Sequence, residues 1–147
     1  MPSPKLLVTF LDPLRTEHHN SDLKLRMILI QDFRFLVQAP DGHARLFTVP
    51  AGFVTDLASI PRIVWWIPGF SPFGRIEKSS VAHDFLYSLQ CPRLCGFGLD
   101  PMDDYAQRLF ADDVLYYGME SDGECMAVRG IVNGFVRAFG ASHWKTP

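Results

Sequence analysis

The hydrophobic period of this chain changes once, near residue 74, and that change limits the folds open to it. Before it, apolar residues come in short β-prone runs: Leu6 to Leu11, Leu25 to Ile30, Phe33 to Val37 and Ala44 to Val49. Runs of this length, bounded by turn residues, read as strands. Asp12-Pro13 closes the first, and Asp41-Gly42 is a hairpin turn between the last two. The segment from Arg15 to Asp22 reads as polar turn, and Pro50-Ala51-Gly52 ends or bulges the strand before it.

After the change the spacing is helical. Val81, Ala82, Phe85, Leu86 and Leu89 define a first helix between about residues 74 and 89. A second runs from Asp103 to Tyr117, with Asp100-Pro101 as its start signal and Gly118 as its stop. A third, capped by Ser121 or Asp122, continues through Val128, Val132 and Val136 to Phe139, with Gly140 as its stop. Strands followed by helices predict an α+β fold: an N-terminal antiparallel β meander with three C-terminal helices packed on one face. At 147 residues, without repeat, linker or low-complexity tract, the expectation is a single domain over residues 1–147, with 1–60 mainly β and 74–140 mainly helical.

Composition removes several function classes. A net charge of -2 with lysines scattered singly argues against nucleic acid, which calls for a basic stripe. The most apolar window, Ile63 to Phe70, is short and broken by Pro68-Gly69, so no transmembrane segment is expected. The start, MPSPKLLVTF, lacks the apolar stretch of a signal peptide. Cys91, Cys95 and Cys125 read as reduced thiols; a zinc site on the first two would need a second ligand pair, and none follows at suitable spacing.

Polar residues on apolar stripes are the specific signal. On the second helix Ala106, Leu109, Phe110, Val114 and Tyr117 define the expected buried stripe. Asp113 sits within it, Asp103 lies near it and Gln107 flanks it, while Asp104 and Asp112 are expected to face solvent. On the third helix Arg129 lies within the stripe of Cys125, Val128, Val132, Val136 and Phe139. On the first, His83 and Tyr87 share a flank one turn apart and Asp84 points further round. A buried charge without a partner costs several kcal/mol, so mutual pairing is expected: Arg129 with Asp113, Asp84 or Asp56, and His83 with another of these acids.

The turn Thr55-Asp56-Leu57-Ala58-Ser59-Ile60-Pro61-Arg62 supplies further polar groups. Thr55, Asp56 and Ser59 can bond nearby amides and stiffen the turn, which with Arg62, Tyr87, Asp113 and Arg129 gives a structural cluster. The functional alternative makes His83 a general base, with Asp84 and Asp56 as its carboxylate partners. Downstream, Trp65, Trp66, Phe70 and Phe73 form an aromatic loop suited to partner binding.

VPAGFVTDLASIPR at Val49–Arg62, HDFLY at His83–Tyr87 and the Ala-Val-Arg ending at Arg129 together resemble a known family. It comprises small proteins of tailed bacteriophages and prophages, catalogued as domain of unknown function 1353. The matching positions are Gly52, Phe53, Thr55, Asp56, Ser59, Ile60, Pro61, Arg62, His83, Asp84, Tyr87 and Arg129, within a similarity running from about Leu25 to Gly140. One departure is Ala106-Gln107, where the family commonly has Ala-Asp.

The resemblance implies a phage protein of the virion or the bacterial host cytoplasm. The expectation drawn from it is a virion structural or assembly protein of the tail, baseplate or neck, with other phage structural proteins as partners and no cofactor. The alternative is a hydrolase directed at the host envelope. A His-Asp-x-x-Tyr helix facing a second carboxylate-bearing helix is similar to the arrangement in secreted calcium-dependent phospholipases. By that likeness His83 would activate water, Asp84 would help hold calcium or another divalent cation, and Asp103 or Asp113 would orient the histidine.

Overall fold

A computed structural model describes residues 5–21, 24–55, 76–88, 90–124, 126–142 and 144. Its strands are β1 (Leu7–Phe10), β2 (Thr16–Ser21), β3 (Lys24–Leu29), β4 (Phe33–Gln38), β5 (Ala44–Val49) and β6 (Val54–Thr55). They are followed by α1 (Glu77–Tyr87), α2 (Asp104–Ser121) and α3 (Met126–Phe139), the last running into a 3-10 turn at Gly140–Ser142. The expected α+β order is present.

The strands form two antiparallel sheets in place of one meander, ordered β1-β4-β5 and β2-β3-β6. Alternation sets which face is buried: Phe33, Phe35 and Val37 of β4 point inward with Val8 of β1 and with Phe47 and Val49 of β5. Phe35 and Phe47, paired across the strands, stack at 5.0 Å. The polar segment expected to be a turn is instead strand β2, whose backbone pairs with β3 from Thr16↔Leu29 to Ser21↔Lys24. It lies at the edge of its sheet, where polar residues are tolerated on the solvent side. β6, too short to carry a pattern, pairs Thr55 with Met27 and Val54 with Ile28.

Two helix boundaries also differ from expectation. α2 does not stop at Gly118 but continues to Ser121. Gly118 is buried there because a Cβ would lie 2.7 Å from Ser79 Oγ and 3.1 Å from Phe10 Cζ; the residue serves the close approach of α1 and β1, not a cap. The stop falls at Gly123, with φ 81° and the Glu124 amide reaching back to the Met119 carbonyl at 2.9 Å. Asp122 ends α2 and does not cap α3. At the start of α2, Asp103 is the N-cap and accepts from the Ala106 amide at 3.1 Å.

α2 occupies the centre of the helical half, packed on β1 and α1 on one side and α3 on the other. One apolar cluster joins the inner strand residues to Val81, Phe85, Leu86, Phe110 and Val114. A second, made of Ile76, Leu115, Met119, Val128, Val132 and Val136, fills the α2–α3 seam. No helix among the described residues is long and apolar enough to cross a membrane.

Candidate functional site: the His83–Asp112 pair

His83 is brought inward by the helical period of α1, between the buried residues Ala82 and Phe85, and is fully buried. Its Nε2 donates to Asp112 Oδ1 of α2 at 2.9 Å, and Asp112 is fully buried too. Tyr87, one turn further along α1, donates from Oη to the same oxygen at 2.6 Å. The expected flank of His83 and Tyr87 is therefore real, and one carboxylate oxygen receives both donors.

Asp112 corrects the expectation for α2. The buried face comprises Gln107, Phe110, Ala111, Asp112, Val114, Leu115, Gly118 and Met119, about one residue round from the predicted stripe. α2 is flanked by a helix on each side, so its buried face is wider than that of a helix on a single surface, and Asp112 falls inside. Asp113 is only half-buried and pairs with Arg137 Nη2 of α3 at 2.7 Å. Neither Asp103, the cap, nor Asp113 orients the histidine.

Arg129 is buried as expected, but its ion pair is with Glu120 at 3.1 Å, and its guanidinium lies over Tyr116. The guanidinium near the histidine belongs to Arg137, one of two groups that the sequence reading missed. Its Nε stands 3.7 Å from Asp112 Oδ2. Asp112 lies beside the buried Ala111, just outside the predicted stripe, and the packing of helices on both sides of α2 brings it into the core. Arg137 lies on a flank of α3, where no stripe argument reaches. Phe139, assigned to that stripe, is 62% exposed.

Asp84 points to a different neighbour. Thr55 Oγ1 of β6 donates to its Oδ2, and its Oδ1 lies 3.7 Å from His83 Nδ1, an ion-pair separation too long for a hydrogen bond. With Nε2 carrying the proton given to Asp112, the neutral ring leaves its lone pair on Nδ1, on the Asp84 side. Burial alone would push the ring's pKa down; hydrogen bonding to Asp112 and the charge of both carboxylates outweigh it and leave the pKa raised above the ordinary histidine value. Burial, then the charge of Asp112, drives the Tyr87 phenol far above its usual range, so its hydroxyl remains a donor.

Tyr87 is itself enclosed. Its ring lies 4.2 Å from that of His83 and meets Trp144 edge-on at 5.0 Å, and Arg93 stacks over Trp144 at 4.3 Å. A Cβ on Gly140 would come within 2.7 Å of Tyr87 Oη, so only glycine lets the turn after α3 close here. Gln107 is buried away from this pair. It brackets Leu94, accepting from its amide at 2.9 Å and donating to its carbonyl at 2.8 Å, with a further bond to the Asp100 carbonyl at 3.2 Å. The Gln107 departure thus falls on a loop anchor and leaves the histidine's carboxylate untouched.

Asp56, Ser59, Arg62, Trp65, Trp66, Phe70 and Phe73 lie outside the described residues, as does Cys125. Among the described residues no group of three or more His, Cys, Asp or Glu side chains converges as a cation site requires. A groove of about 380 Å³ lined by Lys5, Leu6, Gln38 and Pro40 contains none of these site residues.

Chemically, a buried carboxylate fixes the tautomer and tilt of an imidazole whose second nitrogen is a base. A family model described as "Protein of unknown function (DUF1353)" matches residues 28–132, a stretch that holds Thr55, His83, Asp84, Tyr87 and Asp112 and stops short of Arg137. No curated protein and no solved structure matches the chain.

Proposed function

The chain belongs to the DUF1353 family, and from the geometry of the His83–Asp112 pair we propose that it is a hydrolase in which His83 activates water. One observation carries this reading. Asp112 Oδ1 takes both the His83 Nε2 and Tyr87 Oη donors, while His83 Nδ1 has no hydrogen-bond partner and faces Asp84. That is the division of labour a general base needs: one nitrogen anchored by a carboxylate, the other left to take a proton. Water would have to reach Nδ1 past the Asp84 carboxylate, which stands 3.7 Å from it. Asp84 is the route to it, since its side chain retains 16% exposure where His83 has none.

The substrate class follows from the phage resemblance: a component of the host envelope, lipid ester or peptidoglycan, met from the virion or from the host cytoplasm. The test is hydrolysis of phospholipid vesicles and of peptidoglycan by the purified chain, with and without calcium, beside His83→Gln and Asp112→Asn. Turnover by the parent that both variants lose supports the proposal. A folded parent with no turnover on either substrate under both conditions defeats it.

A second reading has its own observation. Both members of the pair are fully buried, and a structural lock needs no access to water. On this reading the chain is a virion component of tail, baseplate or neck, bound to other phage structural proteins, and the cluster only joins α1 to α2. It expects the same variants to lose stability or assembly with no activity to lose, and mass spectrometry of purified virions to find the chain.

A further inference from the structure

We propose that Arg137 sets the basicity of His83 by dividing its guanidinium between two carboxylates, Asp112 of the pair and Asp113 beside it. The inference rests on the reading of His83 as the base. It begins with an imbalance in the bonding of Asp112. Oδ1 accepts twice, whereas Oδ2 is buried with no hydrogen-bond partner. Arg137 Nε, a donor that is also buried without a hydrogen bond, lies 3.7 Å away. Arg137 meanwhile bonds Asp113 through Nη2 at 2.7 Å.

A guanidinium presents its donors as a rigid fork, and two carboxylates on successive residues of α2 offer it two seats. Held on Asp113 alone, it leaves the charge of Asp112 to His83. Moved by less than about 1 Å onto Oδ2, it makes a charge-assisted bond there and weakens the hold of Asp112 on the imidazolium. Arg137 is thus a positioning residue acting through Asp112.

Among the described residues, the other charged and titratable groups around the histidine come from all three helices. α1 supplies Asp84, held by Thr55 of β6, and Tyr87. α2 supplies Asp112, Asp113 and Arg108, whose charge reaches Tyr87. α3 supplies Arg137; Arg129 is committed to Glu120.

The experiment reads the titration of the His83 imidazole by NMR, assigned by its loss in His83→Gln, with no substrate present. Arg137→Gln should raise the proton affinity of His83 threefold or more, about half a pH unit. Asp113→Asn should release Arg137 onto Asp112 and lower the affinity by a similar factor. The deciding measurement is the cycle: in the Arg137→Gln background the effect of Asp113→Asn should fall to less than half, because only its direct charge effect remains. An equal effect in both backgrounds, or an unchanged titration in Arg137→Gln, overturns the proposal.

Should Arg137→Gln fail to fold, Arg137→Lys takes its place. It keeps the charge without the fork and should also reduce the Asp113→Asn effect, while an undiminished effect rejects the proposal. A chain that hydrolyses nothing but shows this coupling would defeat the hydrolase reading alone.

Discussion

His83 of α1 and Asp112 of α2 share a hydrogen bond of 2.9 Å inside a core that exposes neither side chain. The two residues stand 29 positions apart in the chain. Their bond joins α1 to α2 in the middle of the helical half, and its energetics follow from burial.

Breaking the pair from one side strands a polar group. Asp112→Ala should cost about 3–5 kcal/mol, the usual penalty for removing one partner of a buried charged pair. Urea unfolding measures it. A loss under 1 kcal/mol would mean that the carboxylate contributes little to holding α1 and α2 together.

Tyr87→Phe is the milder cut. It deletes one of two donors to Asp112 Oδ1 and keeps the ring contacts with His83 and Trp144. A hydrogen bond to a charged group is worth about 1.5–3 kcal/mol, and the variant should lose stability in that range while keeping the native near-ultraviolet spectrum. A variant as stable as the parent would show that the hydroxyl is dispensable.

The pH dependence of stability has a fixed sign. The pKa of His83 is raised in the folded chain, so the protonated ring favours folding. Its contribution is fully present below the unfolded histidine value of about 6.5 and is lost as pH rises through the folded value. Denaturation midpoints should therefore fall above about pH 6.5 in the parent relative to His83→Gln. Under the hydrolase reading turnover rises over that same interval, because the base acts unprotonated. A difference between parent and variant that is flat with pH would contradict the assignment.

Gly118→Ala should destabilise, against the general preference of helices for alanine. That preference is worth about 1 kcal/mol, but the new methyl would press on Ser79 Oγ and Phe10, and overpacking costs about 1–3 kcal/mol. Thermal unfolding reads the net loss, and Ser79→Gly in the same chain should recover part of it. A more stable Gly118→Ala chain would mean that α1 and α2 are not in close contact here.

Thiol reactivity should separate two cysteines. Burial pushes the Cys91 thiol up to about 11, whereas Cys95 is exposed. Alkylation of the native chain near pH 8, followed by peptide mass spectrometry, should label Cys95 well ahead of Cys91. Equal labelling would place Cys91 at the surface.

The sequence made the order of elements legible, because period two and period 3.6 leave distinct patterns over six or more residues. β6, a strand of two residues, is too short to leave one. The division into two sheets depends on which strands pair, and pairing carries no local signature. His83 and Tyr87 were readable as a unit from their one-turn spacing. Their acceptor was not, because the stripe of α2 was drawn as though one surface covered it. A helix wedged between two neighbours buries two flanks, and that moved Asp112 from the solvent side to the core. Arg129 was correctly read as buried, yet its partner, Glu120, lies on the preceding helix at a register fixed only by the α2–α3 packing.

Arg137 and Gly140, which close over Asp112, Asp113 and Tyr87, are synthesised after every acid of the cluster, with Trp144, which meets Tyr87, following them. Both sheets, α1 and α2 leave the ribosome before them. Until α3 is made and docked, Asp112 has His83 and Tyr87 as donors, but Asp112 and Asp113 lack that guanidinium. The cluster is thus closed from the C-terminal side, and a chain cut within α3 would keep the His83–Asp112 bond but lose the guanidinium that answers its charge.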